Sequence, residues 1–184
     1  VFNAFDVTNP STLAKMSTLD NFDTLDGKAG NDTLNIVTGQ AINIANLNLT
    51  SIETVNVKTA AAITNLDGSN WNGTNTLNVT QATAATVTAA ATTDVNVSGI
   101  TGDTSVTGGK TVTVTQNMNV DADTDTTNAA TNNSMLTVDG AVNVTIVANK
   151  SLNYTTDATG KDLGIVVGDT TAVTGAVKIT STGD

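Results

Sequence analysis

The chain alternates apolar and polar residues in short bursts. From Leu34 onward one tripeptide keeps returning, an aliphatic residue, then Asn or Thr, then another aliphatic residue: Leu34-Asn35-Ile36, Ile42-Asn43-Ile44, Val55-Asn56-Val57, Leu77-Asn78-Val79 and Val95-Asn96-Val97. It continues as Val112-Thr113-Val114, Met118-Asn119-Val120, Leu136-Thr137-Val138, Val142-Asn143-Val144, Leu152-Asn153-Tyr154 and Val177-Lys178-Ile179. Period two over a few residues, rich in β-branched types, predicts short strands buried on one face. Steps such as Asp67-Gly68, Asn72-Gly73, Thr101-Gly102 and Gly108-Gly109 punctuate them as turns. The one stretch with a different flavour runs from Pro10 to Met16, where Asn9 is placed to cap a short helical turn with Pro10 at its first position.

The clearest strands start at Leu34, Val55, Leu77, Val95 and Val112, which are 17 to 22 residues apart. That spacing suits one coil of a solenoid carrying two or three short strands. A sandwich needs longer strands and some aromatic core, whereas stacked short strands need only aliphatic filler. The expected fold is therefore all-β, a parallel β-solenoid, one continuous domain of about seven or eight coils and about 35 to 40 Å long at about 4.8 Å per coil. Residues 1–16 read as a lead-in, 17–36 as turns of distinct character, and 37–184 as coils. The middle residues of the tripeptides are expected to face outward and stack on their own kind.

Composition sharpens this picture. Of the 184 residues about a fifth are Thr and about an eighth Asn, while aromatics make up only 3%. The core must therefore be aliphatic and thin. The chain has no Cys, His or Arg, so the usual thiolate nucleophiles, general bases and transition-metal ligands are missing and most enzyme classes fall away. Its sixteen Asp, one Glu (Glu53) and seven Lys leave a net charge of −10. With no basic stripe, nucleic acid is an unsuitable partner, and divalent cations suit the charge better. No apolar run is long enough to span a bilayer. No leader precedes Val1 and no cap follows Ser181 to Asp184, which reads as a segment of a longer chain.

One motif carries chemistry. Gly27-Lys28-Ala29-Gly30-Asn31-Asp32-Thr33-Leu34-Asn35 matches the calcium-binding nonapeptide G-G-x-G-x-D-x-U-x at four of its five defined positions, with Lys28 in place of the second glycine. Thr18 to Asp26 keeps the D-x-U part as Asp23-Thr24-Leu25 but lacks the glycines. The glycines let carbonyl oxygens converge, and carboxylates complete a hard oxygen cage for Ca²⁺. The expected metal residues are Asp23, Asp26 and Asp32, with turns from Gly27 and Gly30 and a further carboxylate at Asp20. The bland alternative is that these are ordinary turn residues.

A second acidic cluster, Asp121, Asp123 and Asp125, has the alternation of a calcium loop. It lacks the Gly and Glu of an EF-hand, since Thr126 and Asn132 stand at those positions, so a solvated loop between coils is favoured. The single tryptophan, Trp71, fits packing over a side or corner of the solenoid better than a sugar platform.

From Asn21 to Ile36, and again over Leu49-Thr50-Ser51-Ile52-Glu53-Thr54-Val55-Asn56-Val57, the chain resembles RTX-type S-layer proteins of Gram-negative bacteria. The similarity is specific over about residues 17–80 and compositional beyond. It implies a calcium-dependent, lattice-forming protein of the extracellular bacterial cell surface, exported by type I secretion. It also implies self-association, and contact with cell-surface polysaccharide through parts outside this segment.

The expected function is accordingly structural and not enzymatic: a calcium-stabilised, self-assembling S-layer or filament subunit. The alternative is an adhesin, or an ice- or surface-binding solenoid using outward Thr such as Thr111, Thr113 and Thr115. A carbohydrate lyase or hydrolase is disfavoured, because Asp residues scattered in turns lack a groove with aromatic or basic subsites.

Overall fold

In the computed structural model, which describes residues 1–117, 134–148 and 164–181, the alternating tripeptides become rungs of parallel sheets. The strands are, in chain order, β1 (Phe2–Thr8), β2 (Lys15–Ser17), β3 (Thr24–Asp26), β4 (Thr33–Thr38), β5 (Ile42–Ile44) and β6 (Asn48–Thr50). There follow β7 (Thr54–Thr59), β8 (Ile63–Gly68), β9 (Thr76–Gln81), β10 (Ala85–Ala89), β11 (Asp94–Ser98) and β12 (Thr104–Gly108). The last are β13 (Thr111–Gln116), β14 (Leu136–Asp139), β15 (Asn143–Ala148), β16 (Ile165–Val167) and β17 (Val177–Ser181).

The chain visits two sheets in turn. The larger runs β17-β15-β13-β11-β9-β7-β4-β1-β2, and the smaller runs β16-β14-β12-β10-β8-β5. Among the described strands only the β1–β2 pair is antiparallel; a third, two-stranded piece joins β3 to β6. The described residues are thus all-β, built of long parallel sheets of short strands in a solenoid-like arrangement. Eight stacked parallel strands span about 34 Å.

Register explains why the sequence reads so regularly. One inward column of the larger sheet runs Phe2, Leu34, Val55, Leu77, Val95, Val112, Val144 and Val177. Two residues on, Ala4, Ile36, Val57, Val79, Val97, Val114, Ile146 and Ile179 form the next. Side chains two apart share a face, so a slip of one residue would turn both columns to water. The smaller sheet contributes Ile42, Ile63, Leu66, Val87, Val106, Leu136 and Val138, and the inward residues of both sheets merge into one apolar cluster.

The outward positions stack on their own kind, as the tripeptides predict. Asn35 Nδ2 donates to Asn3 Oδ1, Asn56 to Asn35 and Asn78 to Asn56, each at 2.8 Å, and Asn96 donates to Asn78 at 2.9 Å. Hydroxyls bind rungs together from inside as well: Thr59, Thr74 and Thr93 are buried and donate to the carbonyls of Gln40, Ile52 and Thr74. Trp71 is 5% exposed and donates its indole N–H to the Leu47 carbonyl at 3.0 Å, with the ring lying on Gly68.

Within the lead-in of residues 1–16, β1 is the first parallel rung of the larger sheet. A single turn forms after Asn9 without continuing as a helix: the Leu13 N–H donates to the Asn9 carbonyl at 2.8 Å, and Asn9 Oδ1 accepts the N–H groups of Ser11 and Thr12 at 2.9 and 3.2 Å. The Asn9 N–H also reaches the Ala14 carbonyl, closing a hairpin loop between β1 and β2, and β2 pairing competes successfully with helix. The tripeptides at Met118 and Leu152 lie outside the described residues.

Candidate metal centre at the Gly27 to Asp32 turn

The nonapeptide match forms the corner between β3 and β4. β3 pairs with β6 through Leu25 and Leu49, which turns Leu25 toward the core. The corner follows at once: the Gly27 N–H donates to the Thr50 carbonyl at 2.9 Å, one rung along. A Cβ on Gly27 would collide with the Ser51 carbonyl oxygen, so only glycine fits here. Lys28 takes φ +65° and Gly30 φ +131°. Lys28 thus occupies the second-glycine position in a left-handed conformation that glycine adopts without cost.

Asp32 projects into this corner, its Oδ2 lying 3.0 Å from where a Gly27 Cβ would be and 3.6 Å from that of Gly30. The Asp32 N–H donates to Glu53 Oε2 at 2.7 Å. The Asp32 carbonyl accepts the N–H groups of Glu53 and Thr54, both at 3.1 Å. Glu53 is therefore the residue that reading for the motif alone leaves out. The available signal was the coil repeat itself, since Thr33 pairs with Thr54 and so places Asp32 beside Glu53.

The other expected carboxylates are spent elsewhere. Asp26 forms an ion pair with Lys28 Nζ at 2.6 Å and accepts the Lys28 N–H at 2.9 Å. The Lys28 ammonium, and secondarily its backbone N–H, hold the Asp26 carboxyl below its ordinary value. Asp23 Oδ2 accepts the Asp20 N–H at 2.8 Å, which closes a turn before β3. Asp23 thus lies before β3, Asp26 at its end and Asp32 before β4, and among the described residues no three carboxylates converge. Asp121, Asp123 and Asp125 lie outside the described residues.

A calcium ion wants six to eight oxygens. The corner offers the Asp32 carboxylate, Glu53 beside it and the nearby Ser51 carbonyl, which is part of such a set and not a closed cage.

Among the described residues no helix is long and apolar enough to cross a membrane. No protein-family model matches the chain, and neither does any curated protein or solved structure.

Proposed function

We propose that this chain is a structural rod of the bacterial cell surface, a subunit segment of a self-assembling layer or filament, with Ca²⁺ binding at the Gly27 to Asp32 corner. The observation that carries this reading is the uniform stack, in which the same aliphatic columns and the same Asn ladder recur rung after rung. Such a body offers long, repeating surfaces, which is what lateral or end-to-end packing requires. Residue type and order at Gly27, Gly30 and Asp32 support calcium, as does the RTX-type resemblance. Asp32 and Glu53 are its carboxylate ligands in this proposal, with Lys28 holding Asp26 in reserve.

The test is electron microscopy of the purified chain with calcium and with EGTA. Ordered arrays form in calcium and disperse on chelation; arrays that survive EGTA unchanged remove calcium from the proposal, and their absence in both removes self-assembly.

A second reading has its own observation. On the smaller sheet Thr86, Ser105 and Thr137 stack outward, as do Thr88 and Thr107, giving two hydroxyl rows that suit ice or another ordered surface. On the larger sheet Thr113 stacks between Asn96 and Thr145, so an Asn interrupts the hydroxyls there. A thermal-hysteresis measurement of zero eliminates the ice reading.

A further inference from the structure

Within their strands the two sheets carry opposite charge on their outer faces. Their inward positions share one core, so their outward positions point away from each other. On the larger sheet the outward charged residues within the strands are Lys58, Asp94 and Lys178; the corner just before those strands carries Asp32, Glu53 and Lys110 in one ladder, with Lys110 3.9 Å from Asp94. On the smaller sheet the outward charges are Asp67 and Asp139, with Asp103 exposed just before β12, and none of its strands contains a lysine. In a chain of net charge −10, the outward positions within the described strands of the larger sheet thus carry two lysines against one aspartate.

We propose that the larger-sheet face of one copy docks on the smaller-sheet face of the next. This inference rests on the self-assembly reading and specifies its lateral contact. Charge complementarity selects the occupant as a second copy, because the same molecule supplies both signs. Like faces would set Lys against Lys or Asp against Asp, so the contact is heterologous and stays open for a further copy. Apolar residues follow the same division: Phe5 and Val37 are 49% and 40% exposed next to Lys58 on the larger sheet. The smaller sheet has a shallow trough floored by Ala62, Ala84 and Ala85, with Thr86, Asp103 and Met135 around it. Both faces share one rung spacing of about 4.8 Å, so their rows interleave without mismatch.

The experiment uses two double variants of the full chain. One is Lys58→Glu with Lys178→Glu, which makes both faces negative; the other is Asp67→Lys with Asp139→Lys, which makes both positive. Each alone is expected to raise the concentration at which arrays appear by about tenfold or more, and an equimolar mixture to restore assembly. Asp67 and Asp139 also accept the N–H groups of Ser69 and Thr170. Should the lysine pair fail to fold by circular dichroism, Asp67→Asn with Asp139→Asn keeps an acceptor at each site and still weakens docking. The inference is overturned if either variant assembles like the parent, or if the mixture stays dispersed. Parent arrays that disperse in EGTA alongside charge variants that still assemble would overturn this contact alone; a parent that never assembles overturns both.

Discussion

The backbone N–H of Asp32 donates to Glu53 Oε2 at 2.7 Å, and Glu53 returns its own N–H to the Asp32 carbonyl at 3.1 Å. Two successive coils are clasped at the corner between β3 and β4. Glu53→Gln retains an acceptor and is expected to unfold in urea near the parent midpoint. Glu53→Ala strands the Asp32 N–H and is expected to lose about 1 kcal/mol, with both variants showing weaker calcium binding by calorimetry.

Lys28→Gly tests the corner from the other side. It removes the left-handed lysine and frees the Asp26 carboxylate from its 2.6 Å ion pair. Tighter calcium binding than the parent is the expected outcome in the same titration. Unchanged or weaker binding would show that Asp26 takes no part.

The Asn ladder makes a stability prediction. Asn56 both donates to Asn35 and accepts from Asn78, each at 2.8 Å. Asn56→Ala leaves one polar group on each neighbour without its partner, and a loss of about 1 to 2 kcal/mol is expected from the urea midpoint at unchanged m. A midpoint equal to the parent's would mean that water replaces the ladder bonds fully.

Acid acts through named carboxylates. The Thr38 hydroxyl and then the Gly39 N–H lower the Asp6 pKa, and Lys28 lowers that of Asp26, both from 3.8. A folded value below the unfolded one means that the stabilisation is complete above pH 3.8 and is lost as pH falls through the lowered values. Thermal melts taken downward from pH 5 should therefore fall most steeply below pH 4, and Asp6→Asn should flatten part of that fall.

In the core, Leu49 is fully buried between β3 and the neighbouring rung. Leu49→Ala is expected to cost about 2 to 5 kcal/mol, read from the urea midpoint. A loss under about 1 kcal/mol would mean that the thin core collapses into the space.

Much of this architecture was legible in the sequence because each inward column repeats at coil spacing: Leu34, Val55, Leu77, Val95 and Val112 announce their own stack. β10 and β12 were not. Their inward residues are Ala85, Val87 and Ala89, and Thr104, Val106 and Gly108, too small or too polar to signal a strand alone. They hold because bulky residues on adjacent rungs, Ile63 before Ala85 and Leu136 after Thr104, fill the space. β1 hid for a similar reason, with Ala4 in the aliphatic column. At the metal motif the order of Gly27, Gly30 and Asp32 was visible, whereas the Asp26 pairing to Lys28 depends on a turn conformation and the Glu53 contact on register.

Among the described strands each rung pairs with the rungs on either side of it, and the two ends of the described chain lie at opposite ends of the stack. Tension applied between them therefore does not load the whole body at once. It peels one coil at a time, the four coils between Leu34 and Val112, of 17 to 22 residues, each releasing about 60 to 75 Å of extended chain. A surface coat made of such units would yield under stretch in small, repeated steps and reseal rung by rung on the template that remains.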